Sequence, residues 1–277
     1  MFFVIFKHMK KILMLTMSCN QIYFQTLLGA VRDTWGKPLL QNKYENISWW
    51  SYTSCDEKHP RPVIDFENHM IYVDEKDDIY STYTKTQKAY NMIKSTGIEF
   101  DYVIRTNTSV FVNIDNLLSK IESIDMDDIL TSRTSRYIDT IGNVSFDIEV
   151  LIGYFICMKR EYFDIAMSNP SNYFILDDKI PIPTIDDVLM SICLYNNGLF
   201  EKTICVHDNF IIPVYKGHKD GEEPRRMIEI DKKDLFYKPE CVNDYVVIRI
   251  RTFYEDFERT EKGHEIEHMY ELYNALK

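Results

Sequence analysis

Phe100-Asp-Tyr-Val-Ile-Arg-Thr-Asn-Thr-Ser-Val-Phe-Val-Asn113 is the stretch that decides how the rest of the chain is read. Tyr102, Val103 and Ile104 form a short apolar run suited to a strand buried on both faces. It stops at Arg105-Thr-Asn-Thr-Ser109, and apolar character resumes at Val110 to Val112. In open α/β sheets ligands bind beyond the carboxyl ends of the strands, so a strand ending this way offers hydrogen-bonding groups to that crevice. The same residue types also form turns, which leaves a solvated turn as the alternative.

Upstream, Lys11 to Asn20 reads as an apolar strand whose end carries the small polar groups Thr16, Ser18 and Asn20, and 21–34 reads as a helix. Strand, polar turn and helix is the usual opening of a nucleotide-binding α/β domain. No Gly-rich phosphate loop follows, so any phosphate is held another way. Gly36 is expected as a left-handed helix stop and Pro38 as a block to continuation, with Trp35 a packing anchor. Strands are expected at 48–53 and 70–73, a loop at 55–65, an acidic connection at 74–78, and an amphipathic helix at 79–93.

Downstream, the pattern predicts a helix at 115–124 capped by Asp115 and a strand at 129–132. One strand is expected over 146–158, passing close to a ligand or another backbone at Gly153, followed by a helix at 160–167. Pro181-Ile-Pro183 forces an extended approach to a helix at 184–195, capped by Thr184, with Asp186 and Asp187 in its first turn. Acidic residues there stabilise the helix through its dipole, which is the plain explanation. A carboxylate fixed at a helix start is also placed to take a proton from a hydroxyl nucleophile. Further strands are expected at 209–215 and 244–251, the latter with Arg249 and Arg251 on one face, and Lys216 to Gly221 reads as a flexible basic loop.

The 277 residues, 45% hydrophobic and 14% aromatic, are long enough for a sizeable core and contain no linker-like stretch or repeat. The expectation is an N-terminal extension, 1–9, and one α/β domain, 10–277, ending in a charged amphipathic helix at 257–276. A formal net charge of -11 argues against nucleic acid as a partner, while leaving room for a local basic pocket. The six cysteines are scattered without metal-ligand spacing and read as reduced and partly buried. Asn46, Asn107 and Asn143 begin glycosylation sequons, a pattern short enough to arise by chance. Met1 to Phe6 is apolar but only six residues long, Lys7, Lys10 and Lys11 follow it, and the later apolar run, Ile12 to Cys19, is too short to span a bilayer, so no signal peptide or bilayer span is read at the N-terminus. Cytoplasmic placement is the default, in a host cell if the source is viral, with a short N-terminal anchor as the lesser alternative.

Together these stretches resemble glycosyltransferase family 31, the β-1,3-galactosyltransferase and N-acetylglucosaminyltransferase group. Ala30-Val-Arg-Asp-Thr-Trp-Gly36 looks like that family's A-I-R-x-T-W-G, and Asp77 through Lys85-Thr86 is similar to its D-x-Y-x-N-L-T-x-K-T, with Tyr80 one place off. Phe100 to Asn113 is similar to F-D-Y-V-L-K-T-D-D-D-V-F-V-N. Gly153 to Cys157 looks like its Gly-rich strand, and Ile185-Asp-Asp-Val188 like its E-D-V. The resemblance covers about residues 10 to 215. It implies a single GT-A-type domain, with a Rossmann-like mixed central sheet flanked by helices.

The resemblance further implies inverting transfer from a nucleotide-sugar, UDP-linked in this group, to a glycan or glycoprotein hydroxyl. Asp187 is then the general base, with Asp186 the less favoured candidate. The family's three metal-binding aspartates align with Asn107, Thr108 and Ser109, neutral groups that suit manganese or magnesium poorly, and two arginines before A-I-R are Leu27 and Leu28 here. Arg-Thr-Asn-x-Ser versions resemble those of bacterial and large-virus glycosyltransferases. Without the metal carboxylates, a leaving diphosphate would rely on cations, for which Arg32, Lys85, Arg105, Lys216, His218, Arg249 and Arg251 are candidates. His207 is a candidate metal ligand in a metal-dependent version, with a structural histidine as the alternative. A non-catalytic relative that binds a nucleotide-sugar or glycan is the alternative, and a nucleotidyltransferase ranks third.

Overall fold

The computed structural model describes residues 9–124, 127–132, 134–141, 144–168, 186–206, 209–210, 246–250 and 264–277. Ile12–Met17 (β1) leads into the helix Ile22–Asp33 (α1) and a short helix, Lys37–Leu40 (α2). Ile47–Ser54 (β2), Val63–Asp65 (β3) and Met70–Val73 (β4) follow, and a 3-10 turn at Ile79–Ser81 precedes the helix Thr82–Ser95 (α3). Next come Tyr102–Asn107 (β5), Val110–Val112 (β6), the helix Ile114–Ser123 (α4) and Ile129–Thr131 (β7). Thr134–Ile141 (β8) and Val144–Leu151 (β9) precede Phe155–Lys159 (β10) and the helix Arg160–Ala166 (α5). The described chain closes with the helix Asp186–Asn196 (α6), the strands Thr203–Cys205 (β11), Asn209–Phe210 (β12) and Val247–Arg249 (β13), and the helix His264–Ala275 (α7).

Eight strands form the central sheet in the order β11-β7-β10-β5-β1-β2-β4-β3. β1 is parallel to both β2 and β5, and β2 to β4, while β10 runs antiparallel to β5 and β3 antiparallel to β4. The fold is therefore α/β, with a Rossmann-like mixed central sheet flanked by helices. β1 sits between β2, which follows it, and β5, which arrives later from the other side. This is the position where strand order reverses and where such sheets open a crevice. A smaller sheet, β12-β13-β6, and the β8-β9 hairpin flank the main one.

The period of two along a strand divides the core between the two faces. Ile12 and Met14 of β1, Trp49 of β2 and Tyr102 and Ile104 of β5 join the cluster containing Trp35, Met269 and Leu272. Leu13 and Leu15, Trp50 and Tyr52, and Val103 join the cluster built with α3, α5 and α6. Helix α7 lies against α1, where the Tyr270 hydroxyl donates to Asp33 Oδ2 at 2.9 Å. Trp35 is the expected packing anchor, 2% exposed, with its indole Nε1 donating to the Val110 carbonyl at 2.9 Å.

Several expectations are corrected. Gly36 is right-handed helical (φ -76°), and Pro38 opens α2 instead of ending α1. Glycine is required at position 36 by close approach, because a Cβ there would lie 2.8 Å from both the Trp49 ring and the Val31 carbonyl oxygen. Gly36→Ala is thus expected to cost about 1–3 kcal/mol by overpacking, readable as a lower midpoint in thermal denaturation. Asn113, not Asp115, caps α4, its Oδ1 accepting from the Asn116 amide at 3.2 Å. The single strand expected over 146–158 is two, β9 and β10, and β3, β6, β8 and β11 are additional. Thr184, Pro181 to Pro183 and the loop from Lys216 fall outside the described residues. None of the five described cysteines is in a disulfide, and Cys157 and Cys193 are buried. Among the described residues no helix is long and apolar enough to cross a membrane.

Candidate active site

Alternation along β5 puts Arg105 and Asn107 on the face of Val103, turned toward α6. That helix is buried nearly all round, from Val188 to Leu194, and lies among α3, α5 and β9. Its first turn carries Asp186 and Asp187 against the end of β5. The Arg105 guanidinium, 2% exposed, forms an ion pair with Asp186, itself 5% exposed. Arg105 Nη2 also lies 3.4 Å from Met17 Sδ at the end of β1, and the guanidinium lies near the Tyr52 hydroxyl. Burial works to lower the Arg105 pKa, and the charges of Asp186 and its neighbours more than reverse this, so the group stays firmly cationic.

Asp187 differs from its neighbour. It is only partly buried, and its carboxylate accepts from the Val188 amide at 3.0 Å and, at the long distance of 3.5 Å, from the Gly153 amide. Burial, followed by the charge of Asp186, pushes its pKa up to about 6, against the opposing pull of Arg105 and the two amides. The buried Ser191 hydroxyl accepts from the Leu151 amide at 2.9 Å and donates to the Asp187 carbonyl at 2.6 Å, tying the base of this helix to β9. Gly153 sits in the break between β9 and β10. A Cβ there would be 3.1 Å from Asp187 Cβ and 3.3 Å from Arg105 Nη1.

The network continues behind Arg105. The Tyr52 hydroxyl is 2.8 Å from Thr86 Oγ1 on α3, one residue from Lys85. Lys85, 2% exposed, is paired with Asp77, which also accepts from Ser54 Oγ at 2.6 Å and the Asn20 amide at 2.5 Å. Stretches separated by more than a hundred residues thus converge on one end of the sheet.

Thr16 points to the opposite face, accepting from Trp49 Nε1 at 2.8 Å. Ser18 is buried, with Oγ 3.5 Å from the Phe24 carbonyl. Asn20 uses its amide group on the Ser54 and Cys55 carbonyls, at 3.0 and 3.1 Å, bracing the ends of β1 and β2. Arg32 is removed from the site, because α1 starts beyond the end of β1 and runs back along it; its Nη2 donates to the Asn68 carbonyl at 2.6 Å. Thr108 and Ser109 are buried, and Asn107 Oδ1 accepts from the Ser109 amide at 3.2 Å and the Ser109 hydroxyl at 3.1 Å. The β13 register sets Arg249 opposite Val110, beside that turn. Lys216, His218, Arg251 and His207 lie outside the described residues.

A hard divalent cation prefers carboxylate ligands. The Asn107–Ser109 turn supplies none, its Oδ1 is directed at Ser109, and the nearby Asp186 already holds a guanidinium. The residues at this turn therefore do not fit such an ion. Among the described residues no group of three His, Cys, Asp or Glu side chains converges. Tyr52, Met17 and Ser191 were not singled out from the sequence. Of these, only Ser191 carried a signal, its i, i+4 spacing from Asp187.

No protein-family model and no curated protein matches the chain, so the resemblance to family 31 has no support from that side. Among solved structures the chain is similar to a glycosyltransferase involved in the glycosylation of the major capsid of PBCV-1, at 10% identity over 94% of this chain and 98% of that one, with a TM-score of 0.48. It is similar to the galactosyltransferase LgtC in complex with donor and acceptor sugar analogs, at 11% identity over 96% and 95% of the two chains and a TM-score of 0.41. It is also similar to the 2-C-methyl-D-erythritol 4-phosphate cytidylyltransferase of Francisella tularensis, at 12% identity over 68% and 87% and a TM-score of 0.37. Likeness at this level does not decide between sugar transfer and nucleotidyl transfer.

Proposed function

We propose that this protein is a GT-A-type glycosyltransferase that moves a sugar, with inversion, from a nucleotide-sugar to a glycan or glycoprotein hydroxyl, with Asp187 as general base. The observation that carries the reading is convergence. The stretches that resemble family 31 around Asp77–Thr86, Arg105, Gly153 and Asp186–Asp187 are far apart in sequence, yet they meet at the strand-order reversal where an α/β sheet takes a ligand. Nucleotidyl transfer is disfavoured because it requires a metal held by carboxylates, which the Asn107–Ser109 turn lacks.

The step balances simply. The acceptor oxygen forms a bond to the anomeric carbon as its proton passes to Asp187, and the bond from that carbon to the diphosphate breaks with its electron pair leaving on the nucleoside diphosphate. Attack from the face opposite the leaving group inverts the anomeric centre. UDP is the nucleotide implied by the resemblance. The charge that develops on the diphosphate needs cations. Arg249, set beside the Ser109 turn by the β13 register, is one candidate, with Lys216, His218 and Arg251 as candidates from sequence. On this reading transfer proceeds without a metal at the Asn107–Ser109 turn.

The test is transfer by the purified protein, with the anomeric configuration of the product read by NMR. Inversion is expected, and retention contradicts the mechanism. The pH profile supplies a second check. Asp187 accepts a proton only when ionised, and its folded pKa lies near 6. The rate is therefore expected to be level above about pH 7 and to fall roughly tenfold per unit below 6. A rate that stays level down to pH 4.5 or so would remove Asp187 from the proton transfer.

A further inference from the structure

Arg105 is a cation at the end of the central strand, in the place where a donor diphosphate would be sought, yet its guanidinium is turned inward. It is 2% exposed, is ion-paired with Asp186, is close to Met17 and Tyr52, and has Gly153 packed against it. Its Nε is buried without a hydrogen-bond partner, and that uncompensated donor is a cost set against the hold on Asp186. Asp186 is buried and occupied as the counter-ion of that guanidinium, which leaves Asp187 as the more accessible carboxylate of the two. Asp187, the next residue, is left facing the Gly153 amide.

We propose that Arg105 is the positioning residue of this aspartate pair. By gripping Asp186 it fixes the first turn of α6 on the end of β5 and so aims the Asp187 carboxylate, while the donor diphosphate is met by other cations. The inference rests on the reading of Asp187 as general base. The geometry also explains why arginine is suited here. Its planar fork can reach Asp186, Tyr52 and Met17 at once, which the single ammonium of a lysine cannot. The missing side chain of Gly153 leaves room for both Arg105 Nη1 and Asp187 Cβ, so the backbone beside the pair is shaped to the same arrangement.

The experiment compares wild type with Arg105→Met, Arg105→Lys, Asp186→Asn and the Arg105→Met/Asp186→Asn double variant, each first shown to be folded by circular dichroism. Misplacing a reacting group by about 1 Å can cost 10²-fold in rate. Arg105→Met is therefore expected to lower kcat by about 10²-fold with the KM for the nucleotide-sugar kept within about twofold. The double variant is expected to be no worse than Arg105→Met, because the two side chains act as one unit. Arg105→Lys is expected to recover part of kcat, and it carries the test if the methionine variant does not fold. A donor KM raised more than about tenfold with kcat preserved would overturn the proposal by making Arg105 a diphosphate contact. Absence of transfer by the wild type would sink the functional reading instead. In that event NMR titration of the Asp187 carboxyl, which faces Asp186 and Arg105, still decides. An Asp187 midpoint that rises in Arg105→Met supports the coupling, and an unchanged one overturns it.

Discussion

Asp187→Asn is expected to lower sugar transfer by about 10²- to 10⁴-fold, the range for loss of a general base, with little change in the KM for the nucleotide-sugar. The amide keeps the size of the carboxylate and an oxygen that can accept from the Val188 amide, which isolates the lost proton acceptance from packing. Stability should move the other way. The folded pKa of Asp187 is raised, so folding favours its protonated form, and the stability this contributes at low pH is lost as pH rises through about 6. Above that pH the wild type holds a partly buried charge that its neighbour Asp186 repels, and the neutral asparagine relieves it. The variant is therefore expected to unfold no earlier than wild type at pH 8, by thermal denaturation. Low activity combined with a large loss of stability would mean that Asp187 is structural.

The largest expected effect on stability lies at Asp77. Its carboxylate joins three elements, accepting from Ser54 Oγ at the end of β2, from the Asn20 amide after β1, and from Lys85 on α3. Lys85 is 2% exposed, so Asp77→Ala strands a buried ammonium and two further donors. Removing one partner of a buried pair costs about 3–5 kcal/mol. For a chain of this size that is a fall in the melting temperature of roughly 10 °C. The Asp77→Asn/Lys85→Met double variant keeps an acceptor for the Asn20 amide and buries no charge, and is expected to be less destabilised than Asp77→Ala. Equal losses in the two would show that the ion pair itself is not what matters.

The parts of the fold that could be read from sequence were those where burial imposes a simple pattern. β1 and β5 begin as apolar runs too short for helices and end in polar residues, and β2 is a short stretch rich in aromatic residues. α3 shows its buried face through Tyr83, Thr86, Ala89, Tyr90 and Ile93. β3 is short and largely exposed at Val63, so no pattern distinguished it from the surrounding loop. The β8-β9 hairpin was missed although Gly142-Asn143 between β-branched residues is a hairpin signal, because strand residues such as Arg136, Asp147 and Glu149 dilute the hydrophobic alternation. At Gly36, glycine itself was visible, but its cause, the Trp49 ring, comes from a strand that only the tertiary structure brings close.

The site was legible in outline. Asp186 and Asp187 were recognised as a pair at a helix start, but two adjacent identical residues give no sign of which one a buried cation holds. Arg105 drew attention as a cation at a strand end, and the period of two cannot say that the facing helix presents a carboxylate to it. Thr16 was a candidate by its place at a strand end, and Arg32 as a cation within the stretch that resembles A-I-R-x-T-W-G. The first faces the Trp49 side of the sheet, and the second reaches the Asn68 carbonyl at the far end of α1.

The most direct test of sugar transfer is release of free nucleoside diphosphate from UDP-, GDP- and dTDP-sugars in the presence of glycan acceptors, with manganese, with magnesium and with EDTA, by wild type and Asp187→Asn side by side. The expected result is release from one class of donor that requires an acceptor, survives EDTA and is nearly abolished in Asp187→Asn. Binding of nucleotide-sugar without release under any condition, equal in the two proteins, would contradict the account and identify the chain as a binding module.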